Sequence, residues 1–102
     1  MPTCKCPGTM EVGKLAPYNG TGWGQTEKIA WHNAIRRSGL LDGYIVLMTL
    51  ALEYDCARGC DVRTRYSITP PAVTVFNAAR GLFETTFTNA TLKVWIECVK
   101  AG

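Results

Sequence analysis

Cysteine does most to constrain this chain. Five cysteines fall within 102 residues, four of them as two close pairs, CKC at 4–6 and CARGC at 56–60. Any link between these pairs ties the amino terminus to the middle of the chain and removes many topologies. In an extended segment Cys4 and Cys6 point the same way, because side chains alternate along a strand. Cys56 and Cys60 flank a tight bend, so Cys4, Cys6, Cys56 and Cys60 together suit one structural, tetrahedral zinc. The CxC and CxxxC spacings depart from the CxxC arms of zinc ribbons and from the thioredoxin redox spacing. A Cys56–Cys60 bridge across a hairpin and ordinary reduced thiols compete with zinc. The cofactor expectation is therefore none or one structural zinc. The start MPTCKCPGTM lacks the apolar stretch of a secretory leader, which leads to the expectation of a reducing, cytoplasmic setting where bridges rarely persist. Cys98 continues the apolar alternation of Leu92, Val94 and Ile96 and is expected in the core as a small hydrophobe.

The length suits one domain, residues 1–102, with an apolar fraction of 47% that can fill a core. Residues 1–24 are rich in Gly, Pro, Thr and Asn and read as an irregular lead-in packed on that domain. Gly20, Gly22 and Gly24 are expected in turns, since the lysine and hydroxyl of a phosphate-binding loop are missing. A helix is predicted from a Thr26 cap through EKIAWHNAIRR, with Arg36 and Arg37 favoured near its carboxyl end and Gly39 as the stop. The run GYIVLMTLALEY is too short to cross a membrane, which takes about 20 apolar residues as a helix. Its Tyr44, Ile45 and Val46 favour a strand over 44–54.

That strand is predicted to form a hairpin with DVRTRYSI at 61–68, bending at Ala57, Arg58 and Gly59. In the second strand Val62, Thr64, Tyr66 and Ile68 share one face, and Arg63, Arg65 and Ser67 the other. Pro70 and Pro71 suit the first turn of a helix over 71–82, with apolar residues at intervals of three and four. The tail then reads as a second hairpin bending near Asn89 and Ala90. The expected fold is α+β in the order αββαββ, with a single antiparallel sheet of about four strands packed by two helices.

The sequence holds no nucleophile turn, no HExxH and a single histidine, His32, so a small enzyme with a site near His32 is a weaker expectation than a non-catalytic module. A formal charge of +3 permits an anionic partner without requiring one. Arg58, Arg63 and Arg65, with Lys93 and Trp95, form the candidate contact set for nucleic acid or another anion, cations tracking phosphates while the indole stacks on a base. The leading expectation is a small protein-interaction or assembly module that binds another protein or itself as a homodimer. Trp23 and Trp31 are its candidate partner contacts, because large aromatics anchor interfaces.

Overall fold

A computed structural model describes residues 3–101 and shows a two-layer α+β arrangement built around one long strand. That strand, β6 (Leu82–Lys100), pairs along most of its length with β2 (Gly8–Gly24) on one side. On its other side its two halves take different partners, β5 (Val73–Asn77) for the first and β4 (Cys60–Thr69) for the second. All these pairings are antiparallel. Helices α1 (Glu27–Ser38) and α2 (Leu40–Ala51) pack on one face of the sheet. A short parallel pair, β1 (Thr3–Cys4) with β3 (Asp55–Cys56), closes one end. The fold class is as expected, but the order is strand, two helices, then strands, in place of αββαββ.

Residues 8–24 are a 17-residue strand, not irregular chain. Its glycines alternate on the helix-facing side and make room for α1. A Cβ on Gly22 would collide with the backbone of Asn33 and Ala34. Glycine here serves close approach between layers, a use that composition cannot tell from a turn.

Helix α1 matches its prediction. Thr26 accepts a hydrogen bond from the Ile29 amide at 3.1 Å, and Gly39 ends the helix with φ of +82°. The same Gly39 opens α2, where the sequence predicted a strand over 44–54. Leu40, Gly43, Leu47 and Ala51 explain the outcome: they recur at helical spacing and form the buried stripe against the sheet. The β-branched residues that suggested a strand, Ile45 and Val46, both lie on the exposed side. With α2 helical, the hairpin between 44–54 and 61–68 does not exist. β4 pairs with β6, and its faces alternate as read, with Arg63 opposite Glu97 and Arg65 opposite Trp95.

The predicted helix over 71–82 is also replaced, by β5 and a tight turn. Val73 and Val75 carry strand propensity, and pairing with β6 adds a Thr74–Thr85 hydroxyl bond of 2.8 Å and an edge-on Phe76–Phe83 contact. Asn77 closes the turn by accepting from the Arg80 and Gly81 amides, and Gly81 has φ of +67°. The expected bend at Asn89 and Ala90 is a bulge within β6. Asn89 adopts φ of +48°, and its amide donates to Asn19 Oδ1 at 2.9 Å, so the strand passes through unbroken.

The main core joins Ala34, Leu40 and Leu47 from the helices to Phe87, Ala90, Leu92 and Val94 from β6. The molecule measures 56 × 27 × 18 Å, with a radius of gyration of 16.6 Å. A compact chain of this length is expected near 13 Å. So long and thin a body leaves much apolar surface uncovered.

Candidate assembly and binding surfaces

The cysteines meet at one end, but not as zinc ligands. Cys6 is bridged to Cys60 and Cys56 to Cys98, with Cα separations of 6.5 and 5.6 Å. Three of the four proposed ligands are thereby consumed, and the fourth, Cys4, is a buried free thiol. Among the described residues no group of three or more His, Cys, Asp or Glu side chains is placed to hold a metal. Neither bridge is the hairpin pairing Cys56–Cys60, because the hairpin that would have aligned those sulfurs is not formed. Cys98 does lie in the core, as expected, but as half of a bridge. The two bridges pin β3 to β6 and the start of β4 to the segment before β2.

Beside this stapled end lies an apolar groove. α2 carries one charged residue, Asp42, and is apolar on nearly every side, the pattern of a helix buried all round. Only its sheet-facing stripe is covered. Ile45 and Val46 remain 54% and 53% exposed, and Leu52, just past its end, 83%. β4 is equally bare, with Val62 and Tyr66 exposed on the helix-facing side of the sheet. Between them open a cavity of about 200 Å³, whose lining includes Trp31, Tyr44, Tyr66 and Ile68, and a second of about 320 Å³, bounded by Met48, Leu52 and Val62. Tyr44 and Tyr66 meet edge-on across the floor at 5.2 Å between centroids. Among the described residues the outer edge of β4 has no strand partner.

Among the described residues the opposite face of the sheet bears no helix, and it is polar. Three cross-strand rows follow from the register: Lys14–Lys93–Ser67, Glu11–Trp95–Arg65 and Thr9–Glu97–Arg63. The sequence-derived contact residues Arg63, Arg65, Lys93 and Trp95 are thus brought together, while Arg58 sits exposed in the loop before β4. Arg65 pairs with Glu97 at 2.8 Å and Lys93 with Glu11 at 3.5 Å. Lys93 also stands over the Trp95 ring, 5.7 Å from its centroid. Lys14 was missed by the sequence reading, because its strand was taken for irregular chain.

Farther along this face Trp23 donates from Nε1 to Glu84 at 2.9 Å and lies beneath the guanidinium groups of Arg37 and Arg80. The hydrogen bonds from Trp23 and Asn77, followed by the nearby Arg80 charge, hold the Glu84 carboxyl below its ordinary pKa. The two candidate partner contacts therefore separate: Trp23 belongs to the polar face, and Trp31 lines the groove. His32 is exposed on α1, and the free thiol of Cys4 is buried among the bridges at the stapled end, so no thiol–imidazole pair forms between them. Comparison with protein-family models, curated proteins and solved structures returns no match.

Proposed function

We propose that this chain is a non-catalytic assembly module that self-associates through the β4 edge and the groove between β4 and α2. The observation that carries this reading is the coincidence of a ten-residue strand edge, unpaired among the described residues, with a helix apolar on both flanks. The exposed side chains of Leu41, Ile45, Leu52, Val62 and Tyr66 gather on these two elements and supply an apolar centre for an interface, which ordinarily covers ~800 Å² per partner. A second copy is the occupant that fits both features at once. Two β4 strands paired antiparallel about a two-fold axis centred on Thr64 set Val62 of one copy opposite Tyr66 of the other, an aromatic–β-branched pair. The same operation brings the partner's α2 to the same side of the joined sheet, where its bare flank covers the groove. Every contact off the axis is then made twice, as a two-fold interface requires.

The two bridges favour an oxidising compartment over the cytoplasmic setting expected from the sequence. No helix among the described residues is long and apolar enough to cross a membrane.

Native mass spectrometry tests the reading. The expected species at micromolar concentration is twice the 11.2 kDa chain. Tyr66→Lys buries a charge at the seam and should raise the dimer Kd at least about 100-fold, ~2.7 kcal/mol. Thr64→Cys should cross-link two copies at the axis under oxidising conditions. A wild-type chain that stays monomeric at 100 µM overturns the proposal.

A further inference from the structure

We infer that the helix-free face of the sheet binds single-stranded nucleic acid, laid across the seam of the dimer proposed above. The inference rests on that dimer for its full extent, although the residues that make contact belong to each chain. Around Trp95 two carboxylates, Glu11 and Glu97, each engage one cation, Lys93 and Arg65. Lys14 and Arg63, which lie in the rows either side of the Glu11–Trp95–Arg65 row, have no ion pair within 4.0 Å among the described residues. Two-fold pairing centred on Thr64 sets Arg63 of one copy opposite Arg65 of the other, twice over. Like charges directly opposite across a strand pair disfavour the pairing. A polyanion along the seam reverses the sign of that contribution, so charge complementarity selects the partner.

Trp95 narrows the class further. It is half-buried at the centre of the patch, with Arg65 and Glu11 as its cross-strand neighbours and Lys93 above its ring. Cations tracking a phosphate backbone beside an indole offered for stacking are the elements of single-strand recognition. A sheet face presents them without the protruding helix or ribbon that reading a major groove requires. Thr9, Ser67 and Thr91 add hydroxyls that can bond phosphate or sugar. Because nucleic acid and the second copy each favour the same paired state, binding of one tightens binding of the other by the same factor.

The test is fluorescence anisotropy of a labelled 20-nucleotide oligouridylate against the oxidised protein between 50 and 200 mM salt, with native mass spectra on the same samples. Lys14 and Arg63 of both copies, four cations, should contribute about −3 to the slope of log K against log salt. Lys14→Ala with Arg63→Ala should flatten that slope and weaken binding at 50 mM salt at least tenfold. Trp95→Leu should weaken binding about fivefold or more with the slope unchanged. Circular dichroism and intact mass verify that the variants fold and keep both bridges. A dimer that ignores the oligouridylate at 50 mM salt, or binds it unaffected by the double substitution, overturns the inference and leaves the dimer standing. A monomer that binds with half the slope, lost on the same substitutions, supports the surface and overturns the dimer. Equal affinity for a duplex of the same length, unchanged by Trp95→Leu, overturns the single-strand assignment.

Discussion

The two edges of the sheet are built on opposite plans. On the β2 side, α1 reaches over the strand: Asn33 donates to the Trp23 carbonyl at 2.7 Å, and the Arg37 guanidinium lies 5.2 Å from the centroid of the Trp23 ring. β2 also bulges near Ala16 and Pro17, and a proline offers no amide to an incoming strand. β4 has none of these devices from Cys60 to Ile68. It holds an unbroken register with β6, contains no proline or glycine there, and points Val62 and Tyr66 at uncovered space. Sheets ordinarily blunt their free edges against unwanted pairing. Covering one edge while leaving the other in unbroken register, apolar on its helix-facing side, is the contrast on which the proposed dimer rests.

The largest expected effect comes from loosening the open edge. Cys6–Cys60 closes a sequence separation of 54 residues and anchors the start of β4. Loop entropy places its contribution at about 4 kcal/mol. The double variant Cys6→Ser, Cys60→Ser should lose about that much stability in urea unfolding, and its dimer should weaken as β4 frays. If unfolding moves and self-association does not, the partner surface lies elsewhere than this edge.

Next comes the closed edge. Valine at position 22 would be welcome in an ordinary exposed strand, yet Gly22 touches the α1 backbone. Gly22→Val should cost about 3 kcal/mol, the upper range for overpacking, because backbone atoms and not side-chain tips must move. With α1 displaced, Asn33 and Arg37 no longer cover β2, and the variant should form oligomers larger than dimers by light scattering. A destabilised protein that remains strictly dimeric would show that α1 does not protect the edge.

Much of this contrast was legible in the sequence, though not evenly. α1 was readable because its signals are local: a threonine cap, arginines near the carboxyl end and a terminal glycine all act within a few residues. The alternation in β4 and in the second half of β6 was equally plain, so what these two strands contribute to the candidate surfaces was grouped on the correct faces. α2 was not, since a run apolar on nearly all sides satisfies a strand and a helix alike, and the choice fell to Gly43 fitting against Tyr18 and to Leu47 packing on the sheet. β2 was hidden because its glycines answer to a helix that follows them in sequence. The cysteine pairing was out of reach for the same reason: which sulfurs meet depends on β4 pairing with β6 and not with 44–54.

The smallest effect probes where the two edges join. Glu84 of β6 stands opposite Trp23 of β2 on one side and Val75 of β5 on the other. Its carboxylate accepts from Trp23 Nε1 and from Asn77 Nδ2, so one charge couples the closed edge to the β5 turn. These donors, with the Arg80 charge behind them, lower its pKa in the folded state below the ordinary 4.5. A group depressed on folding favours the folded form above its unfolded pKa, and that contribution is lost as pH falls through the folded value. Stability should therefore decline as pH drops below about 4.5, and Glu84→Gln should make that decline shallower. The variant keeps an oxygen for the indole N–H but has no charge to lose. A carboxyl-resolved NMR titration that finds Glu84 at or above its ordinary value would mean that the indole donates elsewhere in solution, and the coupling between the two edges would have to run through the backbone of β6 alone.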